Sequence, residues 1–98
     1  MSQQYSAVVL GVGPERGLGA TLATHFANKG LHVYIAGRSE NKLEAVAHNI
    51  IKNGGAATVV VTDATKEYDV DHLFEVINMQ GLPLQIAVYN VDSNIPAP

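Results

Sequence analysis

The sequence contains no cysteine, which excludes disulfides, thiol nucleophiles and thiolate metal ligands; the absence fits a reducing compartment and makes the cytoplasm the expected location. It also lacks any apolar run of about 18 residues, which argues against a membrane span. The opening Met1-Ser2-Gln3-Gln4 has none of the basic-then-apolar layout of a secretory leader. Charge is sparse, 15% of residues with a net −3 and six scattered Lys and Arg, so there is no basic footprint for nucleic acid. The four histidines, His25, His32, His48 and His72, show no metal-ligand spacing and are read as surface or structural residues. What remains is a globular composition, 47% hydrophobic over 98 residues, enough for one domain with a modest core.

Apolar periodicity divides the chain into seven elements. Tyr5 to Val12 is a short β-branched run bounded by turn glycines, predicted to be a strand buried on both faces. Leu18, Leu22, Ala23, Phe26 and Ala27 recur at helical spacing, and Gly30 supplies a stop just past Lys29. Leu31 to Ala36 reads as the second strand. Ser39 is then the N-cap of a helix with Leu43, Val46, Ala47, Ile50 and Ile51 on one face, terminated by Asn53-Gly54-Gly55. After a third strand at Ala57 to Val61, the residues Val70, Leu73, Phe74 and Ile77 mark a third helix ending near Gly81. Asp69 and Asp71 are placed in its first turn, against the helix dipole. Leu84 to Tyr89 is the fourth strand.

This βαβαβαβ order predicts an α/β fold of the Rossmann type: right-handed crossovers, a parallel sheet of order 3-2-1-4, and helices on both faces, all in one domain spanning 1–98. Nothing follows the fourth strand to cover its outer edge. Its residues Leu84-Gln85-Ile86-Ala87-Val88-Tyr89 carry neither charge nor internal proline to protect that edge, so self-association through this strand is expected.

The most informative stretch is Val8-Val9-Leu10-Gly11-Val12-Gly13-Pro14-Glu15-Arg16-Gly17-Leu18-Gly19, in which an apolar run feeds a turn with four glycines and then opens a helix. Glycines permit positive φ and let a phosphate approach the backbone, while free N–H groups and the positive helix end face the anion. The spacing G-x-G-x-x-G counted from Gly11 fails, because Arg16 stands where the third glycine belongs, and the Gly-Lys-Ser/Thr of an ATPase loop does not occur. The spacing that fits is G-x3-G-x-G through Gly13, Gly17 and Gly19. It resembles the short-chain dehydrogenase/reductase family, whose cofactor loop is written T-G-x3-G-x-G. Gly37-Arg38 after the second strand, Asp63-Ala64-Thr65 after the third and Asn90 after the fourth fall at that family's intervals. The resemblance covers nearly the whole chain and corresponds to the family's N-terminal, cofactor-binding half. Two motifs depart from it. Val12 replaces a threonine that braces the loop, and Tyr89-Asn90-Val91-Asp92 replaces Asn-Asn-Ala-Gly, putting an acid where glycine lets the nicotinamide end pass.

The resemblance implies a nicotinamide dinucleotide held by Gly13, Arg16, Gly17, Leu18, Gly19, Arg38, Ser39, Asp63, Ala64 and Asn90. A site for NAD normally carries an acid about 20 residues beyond the glycines, where this chain has Gly37 followed by Arg38. An arginine offers several donors and a permanent charge to a 2′-phosphate, and Arg16 is placed to add a second, which favours NADP(H) over NAD(H). An isolated arginine at a strand end is otherwise simply solvated. Asp63 either contacts the adenine ring, as the resemblance implies, or is an ordinary turn former. Asn90 likewise is either the family's strand-end asparagine or a turn cap.

The family's proton-transferring tyrosine, the lysine four residues later and the serine that binds the reacting oxygen have no counterpart. The residues four before Lys29, Lys42, Lys52 and Lys66 are His25, Arg38, His48 and Thr62. Tyr34 and Arg38 have the spacing, but they lie on and just beyond a strand, where i and i+4 do not stack as on a helix. No catalytic residue and no metal site is therefore assigned. Two readings stand. In one, this is the NADP(H)-binding half of an oxidoreductase that moves a hydride between NADP(H) and a carbonyl or alcohol, inactive without the catalytic half of a longer parent. In the other, it is a self-standing, non-catalytic nucleotide-binding or scaffold module. A reading frame that continues to Tyr-x3-Lys decides for the first.

Overall fold

Side chains alternate across a strand, so a run of consecutive apolar residues is buried only where both faces of the sheet are covered. The computed structural model describes residues 4–12 and 17–89. Its first strand, β1 (Ser6–Leu10), has Ala7, Val8 and Val9 all buried. The chain continues through α1 (Leu18–Asn28), β2 (His32–Gly37), α2 (Glu40–Lys52), β3 (Ala56–Val61), α3 (Glu67–Gln80) and β4 (Leu84–Tyr89). The strands pair in parallel in the order β3-β2-β1-β4, as the alternation of elements predicts.

The two faces of the sheet hold two cores. On one, Val9, Val33 and Ile35 pack against Ala20, Ala23 and Ala27 of α1 and against Leu43, Val46, Ala47 and Ile50 of α2. On the other, Val8, Tyr34, Ala36 and Val60 lie under Leu73 and Ile77 of α3. Tyr34 is wholly buried there, its ring 5.0 Å from that of His32, and its hydroxyl has no hydrogen-bond partner among the described residues. Burial raises the Tyr34 phenol above its ordinary 10.0 and lowers the His32 imidazole below its ordinary 6.5. The His32 Nε2 lies 2.7 Å from the Thr58 hydroxyl on the neighbouring strand.

β4 is fastened at its start, where the N–H and hydroxyl of buried Ser6 both donate to the Pro83 carbonyl, at 2.8 and 3.1 Å. Its only strand partner is β1, so its outer edge is unpaired among the described residues, and Leu84, Gln85, Ala87 and Tyr89 are exposed. No helix among the described residues is long and apolar enough to cross a membrane.

The structure adjusts several expectations. β1 ends at Leu10 rather than Val12, because Gly11 turns the chain with φ +96°. β2 runs one residue further, through Gly37, where it still pairs with Val61, and β3 starts one residue earlier. Three apolar residues expected to face the core do not: Leu18, Ile51 and Phe74 are 63%, 56% and 39% exposed. Ile50 and Leu73 take the inward positions, and the next residue on a helix lies about 100° further round. Asp71 falls beyond the first turn of α3, whereas Glu67 and Asp69 lie within it.

Candidate functional site

Because the strands are parallel, the segments that follow β1, β2 and β3 emerge side by side on one rim of the sheet, the place where open α/β sheets bind ligands. After β1, the N–H groups of Gly11 and Val12 both donate to the Ala36 carbonyl, at 2.8 and 2.9 Å. The turn is thereby laid across the end of β2. Gly37 makes that contact possible, since a Cβ there would lie 2.5 Å from the Val12 carbonyl oxygen and 3.1 Å from Leu43 Cδ2. On its other side, the Gly37 carbonyl accepts the Thr62 N–H at 2.7 Å. The ends of the three strands are in this way stitched laterally through the last peptides of β2.

Of the expected site residues, Gly13, Arg16 and Asn90 lie outside the described residues. Gly17 is the N-cap of α1, extended at φ −77° and ψ 167°; its carbonyl accepts both the N–H and the hydroxyl of Thr21, each at 3.1 Å. Leu18 and Gly19 are the first two residues of that helix, Leu18 exposed and Gly19 buried. The start of α1 has neither a side-chain cap nor an acidic residue, whereas Glu40 sits in the first turn of α2 and Glu67 and Asp69 in that of α3. Among the described residues, nothing compensates the positive end of α1, an environment that fits a phosphate.

Arg38 emerges exposed immediately after β2. Ser39 stands at the N-cap of α2 as expected, with extended φ −101° and ψ 103°, but its hydroxyl makes no capping bond. Asp63 follows β3 by two residues and forms the turn that its residue type predicts. Its Oδ1 accepts the N–H of Thr65 at 2.9 Å and the Thr65 hydroxyl at 2.7 Å, and its own N–H donates to Asp69 Oδ2 at 2.8 Å. The Thr65 hydroxyl bond, followed by the Thr65 backbone bond and then the charges of Lys66 and Arg38, holds the Asp63 carboxyl below its ordinary 3.8 against a smaller opposing effect of desolvation. Arg38 and Asp63 thus share one electrostatic field at the rim, with half-buried Ala64 beside them. Among the described residues, no group of three or more His, Asp or Glu is arranged to hold a metal ion.

Sequence reasoning reads Gly37 as a family landmark beside Arg38 and as the absence of an acid, and it does not foresee the contacts that Ala36, Gly37 and Thr62 make across the strand ends. The signal available was a small residue at the last position of a buried strand.

Comparison with known proteins places this geometry. The short chain dehydrogenase family matches residues 7–97. Glucose 1-dehydrogenase of Gluconobacter oxydans is 38% identical over 92 residues, which cover 92% of this chain and 34% of that protein. A short-chain dehydrogenase from Rhodopseudomonas palustris superposes with a TM-score of 0.85 at 27% identity, over 99% of this chain and 44% of that one. A 3-oxoacyl (acyl-carrier-protein) reductase from Agrobacterium tumefaciens, solved with NADP bound, gives 0.76 at 29% identity, over 96% and 36% of the two chains. The chain thus spans about a third of the curated relative and less than half of each of these solved structures.

Proposed function

From the premise that this chain belongs to the short-chain dehydrogenase family, we propose that it forms the NADP(H)-binding half of an oxidoreductase acting on a carbonyl or alcohol. The observation that carries the reading is the rim itself: a helix start with no acidic residue in its first turn, an exposed arginine and an anionic carboxyl, each following a different strand.

In this reading, Gly13 and Gly17 line the turn, and the free N–H groups at Leu18 and Gly19 face the pyrophosphate. Arg38 presents its guanidinium to the 2′-phosphate with Arg16 as the second cation, and the uncapped Ser39 hydroxyl is a further donor. The Asp63 carboxylate accepts from the adenine amino group beside Ala64, and Asn90 serves as the family's strand-end asparagine. The cofactor supplies the hydride when bound. This chain's residues bind and orient it, and a positioned proton donor belongs to the remainder of a longer parent. The cytoplasm is the proposed location, and a second copy at the β4 edge the proposed partner of the isolated chain.

The test is calorimetric titration of NADPH and NADH into the wild-type chain and an Arg38→Ala variant. A charge-assisted hydrogen bond contributes about 1.5–3 kcal/mol, so NADPH is expected to bind roughly tenfold to a hundredfold more tightly, with Arg38→Ala removing most of the difference. Equal wild-type affinities refute the preference.

A further inference from the structure

An open sheet has two outer edges, and in this chain the surfaces beside them are complementary. At one edge, β3 pairs only with β2 among the described residues, and Ala56–Val61 carries neither charge nor proline to discourage a further strand. Ala57 and Val59 pair with Val33 and Ile35, so they lie on the α2 face of the sheet, where both are half-buried. Together with Ala47 and exposed Ile51 of α2 they line an open groove along that edge, with Glu44 and His48 completing the lining. At the other edge, uncharged β4 pairs only with β1. Its Ile86 and Val88 pair with Ala7 and Val9 on that same face, half-buried, yet neither belongs to the core packed under α1 and α2. Beside them, Leu22 and Phe26 are half-buried at the margin of that core, on the flank of α1 that a right-handed crossover turns away from α2 and toward β4. One edge thus offers a helix overhanging a free strand, and the other a free strand with no helix above it.

We propose that a second copy of this chain docks head to tail, its β3 edge alongside β4 of the first and its α2 over Ile86 and Val88, with its Ile51 against Leu22 and Phe26. This deepens the proposed partner, a second copy at the β4 edge, and rests on it. Strands lie about 4.8 Å apart and packed helices about 8–10 Å apart, so a row of helices covers a sheet at roughly one helix per two strands. In the head-to-tail arrangement the incoming α2 falls into that row next to α1. Pairing β4 with β4 about a two-fold axis also joins two strand edges, but it sets two uncovered strands side by side and leaves Ile86 and Val88 of both copies bare. The head-to-tail contact is heterologous, and sheet twist turns each strand by roughly 20–25° about the axis along which the copies advance. The contact therefore repeats without closing, and the product is an open-ended polymer.

The experiment is sedimentation velocity on the wild-type chain, on Ile51→Lys and Ala87→Lys, and on an equimolar mixture of the two variants. Both positions are exposed, so the fold tolerates a lysine at either. The wild type is expected to grow in size with concentration without stopping at a dimer. Each variant alone is expected to associate about tenfold or more weakly, because every head-to-tail contact needs both surfaces and a buried lysine is costly. Mixed, the intact β4 edge of Ile51→Lys meets the intact groove of Ala87→Lys, and a heterodimer that grows no further is expected. An Ile51→Lys chain that dimerises as well as the wild type, with no heterodimer in the mixture, overturns the proposal and leaves pairing through β4 standing. A wild type that stays monomeric overturns both. A second measurement needs no variant: as concentration rises, outer-edge amides of β3 and β4 are expected to gain protection from hydrogen exchange together. Protection gained by β4 alone overturns the head-to-tail contact.

Discussion

The buried hydroxyl of Tyr34 offers a test of the core in which the sign of the effect decides. The side chain is wholly enclosed between the sheet and α3, and its oxygen has no partner among the described residues. An unpaired buried hydroxyl costs roughly 1–3 kcal/mol, whereas one with a partner contributes about 0.5–1.5 kcal/mol. Tyr34→Phe keeps the ring, its contact with His32 and nearly all of its volume, so almost no cavity opens. The variant is therefore expected to be more stable, by about 1 kcal/mol. For a domain of this size, that corresponds to a rise of roughly 4–8 °C in melting temperature. Urea unfolding followed by circular dichroism reads the same change as a higher midpoint at unchanged slope. A second signature comes from titration. Because burial raises the Tyr34 phenol, the folded wild type holds its proton more tightly than the unfolded chain, and stability falls as pH rises past 10.0. The phenylalanine variant lacks that alkaline loss. A variant destabilised by about 1 kcal/mol refutes the reasoning, since it means the hydroxyl is hydrogen-bonded in the folded protein.

Two further outcomes are expected. On the acid side, the lowered imidazole of His32 contributes stability that is present above pH 6.5 and lost as pH falls below it, and the lowered Asp63 carboxyl adds a second loss below 3.8. Melting temperatures across pH 3–8 are expected to show both, with Asp63→Asn flattening only the lower limb; a flat profile between pH 8 and 5 rules out the His32 contribution. At the sheet edge, the isolated chain is expected to self-associate through β4, and Ala87→Lys, at an exposed position, to disfavour association without disturbing the core. Light scattering that shows a stable wild-type monomer at high micromolar concentration contradicts the pairing.

The fold was legible because each helix carries a stripe wide enough to announce itself. Leu43, Val46, Ala47 and Ile50 repeat at the helical period and all four are buried, while β1 to β4 alternate with the helices in the only order a parallel sheet of this topology needs. The misses fall where one residue's placement depends on a neighbour distant in sequence. Ile51 belongs to the hydrophobic stripe by composition, but β3 is the edge of the sheet and leaves it outside. Residue type marks Ser39 as an N-cap, which fixes its place in the chain but not where its hydroxyl points. Residue type leaves Asp63 open between turn and ligand contact; in the structure its Oδ1 makes the turn, and the carboxylate remains at the rim. The steric role of Gly37 depends on a carbonyl 25 positions away, a relation that neither periodicity nor propensity encodes.

The pair of hydrogen bonds from Ser6 to the Pro83 carbonyl has a consequence for the order in which the protein assembles. That contact spans 77 positions, whereas the His32–Thr58 contact between β2 and β3 spans 26. Closing the longer loop costs about 1 kcal/mol more in chain entropy, and the strands it joins are the last to be present together on a growing polypeptide. β1, β2 and β3 with their two alanine- and leucine-faced helices are complete in sequence by Val61, so they are expected to coalesce first. On that order, β1, later the inner neighbour of β4, is itself a bare edge until β4 arrives, and Ser6 is the latch that closes it.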